Sequence, residues 1–416
     1  MPKTKKSNLP KKVVKVKVTR ATSGSKLPSK KIKVVVSQST PILDKVTVAT
    51  LPPPATARPV TKVRFWQYAT WFSGVVLVVL LVGVFMVFSR YNNGELKVRN
   101  LTNENVAGMV GGTGWLSPLT GEPVTEEVAT RRPLAVVIEN FKTVRPQSGL
   151  SFADIVWEAP TEGGLTRFLA IFQKGLPSRL GPVRSARSYF IDWAREYGAI
   201  YAHSGGSPEA LDELAKGVEG LQDVNEFFYG PAYWRDDNLS APHNLFTDAA
   251  KFYDYAKERD WRVTAQSLEP FIITPVPEAT GGVMANEIIV PYVPLDYDVM
   301  WNYDTAAGVY KRLMDGKEHV DKTTNGILQT KNLVVMFTDV TPIPKDPELR
   351  VNITTVGGGL AYVFVDGQMF KGKWERTSLS ERTKFVYEDG SVLPLQPGNT
   401  WISVIDSVYE DELEYK

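Results

Sequence analysis

The sequence predicts an α+β protein: a single N-terminal transmembrane helix, then a mixed α/β domain and a smaller β-rich domain. Three observations predict it. Residues 65–89 form a 25-residue run without charge. Over residues 115–269, short apolar stretches between turn signals alternate with helical patterns. Over residues 283–410, alternating or apolar runs are joined by Asp-Gly turns.

Residues 1–64 hold 16 Lys and Arg against one acid, Asp44, a net of +15; the whole chain is +2, so the remainder is −13. Lysines alternating with valine, then Pro52-Pro53-Pro54, mark a disordered basic arm. Such an arm is attracted to anionic lipid at ~1 kcal/mol per basic residue near the surface. Nucleic acid or a cytoplasmic partner is the alternative; the lipid-attracted tail is favoured and nucleic acid is not expected, because no aromatic or motif interrupts the lysines.

The span follows from length. At ~1.5 Å per residue, residues 65–89 reach ~37 Å, enough to cross a ~30 Å hydrocarbon core with some tilt. Arg64 and Arg90 bracket the run, and Phe65, Trp66, Tyr68, Trp71, Phe72 and Tyr91 crowd its ends, where amphipathic rings sit at headgroup level. A buried core helix is the alternative, and the uninterrupted apolar length opposes it. A cleaved signal peptide is opposed by the long charged leader and by the absence of a small-residue cleavage pattern after Ser89. Basic flanks remain in the cytoplasm. The expected topology is therefore a single-pass plasma-membrane protein with its N-terminus inside and its C-terminus outside. Cysteine is absent, which excludes disulfides, thiolate metal sites, a cysteine nucleophile and a lipid anchor through cysteine.

Residues 90–114, with Asn92-Asn93-Gly94 and Gly111-Gly112-Thr113-Gly114, form a flexible spacer. Residues 133–138, 154–157 and 167–172 carry the pattern of buried strands. Residues 186–197 place Phe190, Trp193, Ala194 and Tyr197 on one helical face. Between Gly198 and Gly217, residues 199–202 predict a strand, His203-Ser204-Gly205-Gly206 a turn, Ser207 an N-cap, Pro208 the first helical position and Gly217 the stop. Thr247 is expected to cap a helix running through Trp261. The Pro-rich residues 270–282 predict a boundary. Strands follow at 287–290, 298–303, 309–314, 333–338, 360–365 and 400–405, with turns at Asp315-Gly316, Asp366-Gly367 and Asp389-Gly390.

Several motifs are specific enough to suggest a family. They include Arg145-Pro146-Gln147-Ser148-Gly149-Leu150, Glu162-Gly163-Gly164-Leu165-Thr166-Arg167, Gly181-Pro182-Val183-Arg184-Ser185-Ala186-Arg187, His203-x-Gly-Gly-Ser207 and Ala241-Pro242-His243-Asn244. In the last part they include Tyr310-x-Arg312, Asp315-Gly316-x-x-His319-x-Asp321, Thr355-Val356-Gly357-Gly358-Gly359 and Gly398-x-Thr400-Trp401. The chain resembles, over residues 116–408, the YerB-like family of bacterial envelope proteins, a domain of unknown function (3048) with N-terminal and C-terminal modules. The resemblance implies an envelope location and this two-module layout, and it implies no reaction. Members attached through a cysteine are lipoproteins; this chain offers a helix instead.

Arg167, Arg184 and Arg187 are the first candidate binding residues. Cations beside a helix N-terminus are disfavoured unless a carboxylate such as Asp154, Glu158 or Glu162, or a bound phosphate or carboxylate, sits there. Gly205, Gly206 and Ser207 at the next helix start, with Asn244, complete the expected anion site. Its ligand would be an anionic envelope component, a glycan or a polymer phosphate or carboxylate. The alternative is an envelope hydrolase or transferase with His203 or His243 as acid and base and Glu162 or Asp192 as partner. Ser204 invites comparison with a nucleophile elbow, but the histidines after it are only His243 and His319, the former just 39 residues on with Asp236 and Asp237 between. Three scattered histidines do not make a metal site by spacing, and Gly357-Gly358-Gly359 has no following helix, so neither metal nor cofactor is expected.

Overall fold

The computed structural model describes residues 114–265, 282–292 and 297–416. The chain separates into two units, Met1–Val98 and Arg99–Lys416, and every described residue belongs to the second. The expected arm, membrane span and nearly all of the spacer lie outside the described residues, as does the Pro-rich boundary apart from Gly282. Among the described residues no helix is long and apolar enough to cross a membrane. The described part is α+β, with strands predominating over a few helices.

Its first long strands are β1 (Leu134–Glu139), β2 (Ile155–Pro160) and β3 (Thr166–Phe172). They are apolar on both faces because both faces are covered. Helix α1 (Ser188–Arg195), strand β4 (Ile200–His203), helix α2 (Pro208–Lys216) and strand β5 (Gln222–Asn225) follow. The local punctuation of α2 is as predicted. Ser207 Oγ accepts from Ala210 N, Pro208 occupies the first turn, and Gly217 ends the helix at φ +83°. A short hairpin, β6 (Tyr233–Arg235) with β7 (Leu245–Thr247), leads to α3 (Ala249–Glu258). The cap of α3 is Asp248 rather than Thr247. The Asp248 carboxylate accepts from Ala250 N and Lys251 N, whereas Thr247 closes β7 and donates its hydroxyl to the Ala232 carbonyl.

The last part supplies β8 (Glu287–Val290), β9 (Val299–Asp304), β10 (Val309–Met314), β11 (Asn332–Thr338), β12 (Gly357–Val365), β13 (Gln368–Arg376) and β14 (Thr400–Asp406). Asp315-Gly316 and Asp366-Gly367 have positive φ at both residues, the two-residue hairpin geometry that Asp-Gly supports. Asp389-Gly390 does not, since only Gly390 is left-handed. Gly359 permits close packing in the β12 ladder: a Cβ there would lie 2.6 Å from the Phe337 carbonyl oxygen and 2.7 Å from Trp374 Nε1.

One eleven-stranded sheet runs in the order β13-β12-β11-β14-β2-β3-β1-β4-β5, with two short strands beside β13. Strand β14 pairs in parallel with both β11 and β2, so the sheet continues from the first sequence segment into the last. Each face carries its own apolar cluster, and both clusters draw side chains from both segments. Strands β1, β2, β4, β5, β11 and β14 point the same way. Their C-terminal ends, with the start of antiparallel β3, therefore meet along one edge, where ligands of α/β sheets characteristically bind.

Candidate functional site

Backbone hydrogen bonds assemble the edge. Residues 181–187 run between the end of β1 and the β4–α2 turn. Arg184 N donates to the Val137 carbonyl (2.9 Å), Ser204 N to the Arg184 carbonyl (3.0 Å) and Ala186 N to the Gly205 carbonyl (3.0 Å). Gly205 sits at φ +62° to make this turn. At Gly206 a Cβ would press on Ala186 Cβ and Leu211 Cδ2, each at 3.2 Å.

Arg167, Arg184 and Arg187 all lie on this edge, and each meets a carboxylate. Arg167 donates to Glu162 Oε1 at 2.6 Å, and Arg187 donates to Glu162 Oε2. Burial alone would raise the Glu162 carboxyl, but the Arg167 and Arg187 charges overcome it and hold the group at about 2. Arg184 Nε stands 3.1 Å from Glu139 Oε1, at ion-pair distance but without an aligned hydrogen bond. The Nε of Arg187 likewise has no hydrogen-bond partner among the described residues. The other two carboxylates considered from sequence are elsewhere. Asp154 accepts from Gln173 N (2.6 Å) and Lys174 N (2.8 Å), and Glu158 pairs with Arg312.

The histidines take partners the sequence did not suggest. His203 is buried; its Nδ1–H donates to the Gly205 carbonyl (2.6 Å) and its Nε2 faces Asp223 Oδ1 (2.7 Å). Both nitrogens thus face acceptors, so the ring fixes the turn. His243 donates from Nδ1 to Glu139 Oε2 at 2.8 Å and stacks on Phe141. Neither pairs with Glu162, whose oxygens are taken by arginines, nor with Asp192, which lies on α1 and accepts from Thr355 Oγ1 at 2.6 Å. Asp192 is thus a partner of neither histidine. Ser204 Oγ donates to Glu226 rather than to a histidine. Asn244 Oδ1 accepts from Arg235 (3.0 Å), which also grips Glu226. Ser207 is occupied as the α2 cap.

The residues missed from sequence are Glu139, Asp223, Glu226 and Arg235. Glu139 was legible in part, as the polar residue ending an apolar strand. It is held from behind by the last segment. Arg312, buried against Phe168, Trp301 and Trp401, pairs with Glu158 at 2.9 Å and donates from Nε to His319 Nδ1 at 3.0 Å. His319 must then carry its proton on Nε2, which donates to Gln147 Oε1 (2.8 Å); Gln147 Nε2 donates to the Glu139 carbonyl (3.0 Å) and Asn140 Oδ1 (2.9 Å). Burial, then the Arg312 and Arg145 charges, pushes the His319 imidazole far below its ordinary range, so it stays neutral.

Two family descriptions match the chain, "Protein of unknown function (DUF3048) N-terminal domain" over residues 119–262 and its C-terminal domain over residues 288–402. The candidate lipoprotein YerB of Bacillus subtilis (strain 168) is 36% identical over 299 residues, covering 70% of this chain and 86% of that protein. The crystal structure of the YerB protein from Bacillus subtilis superposes with a TM-score of 0.64 at 33% identity, covering 72% of this chain and 99% of that one. On this agreement of sequence, module order and fold, the chain belongs to the YerB-like DUF3048 family.

Proposed function

We propose that this is a membrane-tethered extracytoplasmic envelope protein whose sheet edge binds an anionic envelope ligand, a glycan or a polymer phosphate or carboxylate. The observation that carries it is the gathering of Arg167, Arg184 and Arg187 at the edge where six parallel strands end, with the Nε donors of Arg184 and Arg187 lacking hydrogen-bond partners among the described residues. The three arginines do not contribute alike. Arg167 and Arg187 are 4% and 6% exposed and share Glu162, whereas Arg184 is 21% exposed. Arg184 is the one that meets ligand; the other two hold the loop. Titrating the full-length chain with a polyuronate and with inorganic polyphosphate tests this. Arg184→Gln is expected to weaken binding at least tenfold with the fold intact, and unchanged binding by this variant refutes the reading.

The tether we assign to residues 65–89, with the basic arm on the cytoplasmic side. The charge asymmetry and the description of the Bacillus subtilis relative as a candidate lipoprotein support an extracytoplasmic place. Protease added to intact cells is expected to digest the chain beyond the spacer and spare a tag at Met1; a protected C-terminal tag refutes the orientation.

One observation favours a second reading, an envelope hydrolase or transferase. Glu139 orients His243 through Nδ1, which leaves Nε2 available for proton transfer beside the Arg184 charge. His243→Gln separates the readings: it abolishes turnover of a wall-derived substrate if the dyad is catalytic and leaves ligand affinity nearly unchanged.

A further inference from the structure

The turn that follows β5 carries two phenyl rings in water. Phe227 and Phe228 are 73% and 77% exposed, yet their backbone is fixed. Asn225 Oδ1 accepts from both Gly205 N (3.1 Å) and Phe227 N (3.3 Å), the Asn225 carbonyl accepts from Phe228 N and Tyr229 N at 3.0 Å each, and Glu226 N donates to the His203 carbonyl at 2.9 Å. The Phe227 ring borders the edge site, and Phe228 follows it in the same turn. A Cβ on Gly205 would stand 3.1 Å from Phe227 Cε2, and Gly205 is the residue whose carbonyl holds Ala186 between Arg184 and Arg187. An exposed aromatic pair on a fixed turn, rimmed by polar residues, marks an interaction surface.

The size and charge of its surroundings select the occupant. Three-quarters of two phenyl side chains amounts to ~300 Å², well short of the ~800 Å² per partner that a stable protein interface needs. An anionic lipid surface is opposed by Asp223 and Glu226, which flank the rings in the same strand and turn. A bare polyanion could use the donors of Arg184 and Arg235 but offers no donor to Glu139 and Glu226, the carboxylates paired with them, and leaves the phenyl rings in water. A sugar ring uses both. Its hydroxyls donate to carboxylates and accept from guanidinium groups, while its C–H face stacks on a phenyl ring.

Resting on the anionic-ligand reading above, we propose that the ligand class is an acidic glycan: a pyranose stacks on Phe227 and Phe228 while its carboxylate or phosphate substituent reaches Arg184. The full-length chain is titrated with a uronate oligosaccharide and, separately, with inorganic polyphosphate. The doubly substituted Phe227→Ala/Phe228→Ala protein is expected to bind the oligosaccharide at least tenfold more weakly than the unsubstituted chain, and Phe227→Tyr/Phe228→Tyr to bind it nearly as well. Unchanged oligosaccharide affinity in the alanine variant overturns the aromatic platform. Binding of polyphosphate without the oligosaccharide overturns the sugar class and leaves the anionic reading standing. Binding of neither removes the anionic reading and the platform with it.

Discussion

Replacing Arg312 with methionine tests a fully buried ion pair. Glu158 and Arg312 are both fully buried and 2.9 Å apart. Methionine keeps the apolar stem against Trp301 and Trp401 but leaves the Glu158 carboxylate with only neutral donors: Thr166 Oγ1 at 2.9 Å, Trp401 Nε1 at 3.1 Å and Asn140 Nδ2 at 3.4 Å. An uncompensated buried charge of this kind typically costs about 3–5 kcal/mol. Urea denaturation of Arg312→Met and parent at pH 7, followed by tryptophan fluorescence, is expected to show that loss. A loss below about 1 kcal/mol refutes the account of Arg312 as counter-ion.

Other groups give pH predictions of both signs. Glu162 is held at about 2, below its ordinary value of 4.5; its contribution, roughly 3 kcal/mol, is present above pH 4.5 and lost as pH falls towards 2. Glu162→Gln should flatten that acid limb in a urea series and lower stability at pH 7. Asp154 is pushed by burial up to about 6, against the opposing hydrogen bonds from Lys174 and Gln173. Its folded value lies above the unfolded one, so stability falls as pH rises from about 3.8 to 6, and Asp154→Asn should gain roughly 3 kcal/mol on the parent across that window. A parallel pH profile for the two proteins counts against the Asp154 assignment. Asp248→Ala, which removes the α3 cap, should cost about 1 kcal/mol, read as a shift in urea midpoint.

The parts of the fold that sequence made legible are those whose determinants lie within a few residues. Ser207, Pro208 and Gly217 bound α2 because each acts on backbone groups at most four residues away. Thr247 and Asp248 are adjacent potential caps, and the choice between them was made by β7, which claims Thr247 for the hairpin. Strand β5, Gln222-Asp-Val-Asn, is too polar to announce itself, and its identity depends on in-register pairing with Ile200–His203. That pairing is what brings Asp223 to His203. In β13 the outward Lys371, Lys373 and Glu375 mask the inward Phe370 and Trp374, and Gly372 breaks the apolar alternation.

The site partners were hidden by sequence distance rather than by composition. Glu139 and His243 are 104 residues apart, and Glu158 and Arg312 are 154 apart; no periodicity joins them. The motifs that carry the family resemblance explain themselves once folded, because many of them bind the two sequence segments together. Arg145 reaches Asp315 (2.9 Å), Ser151 N donates to Asp321 (3.0 Å), and Lys322 N donates to the Gln147 carbonyl (2.7 Å). On the other sheet face Arg376 pairs with Glu196 at 3.1 Å and donates to the Asp192 carbonyl at 3.0 Å. Arg312, His319 and Gln147 then form an unbroken series of hydrogen bonds ending on the backbone of Glu139, the residue that holds both Arg184 and His243. The last segment contributes none of the candidate ligand-facing groups, yet it sets where they stand. Glu139 is thereby fixed from two sides, by the β1–β3 ladder and by Gln147, and with it the carboxylate that faces both Arg184 and His243.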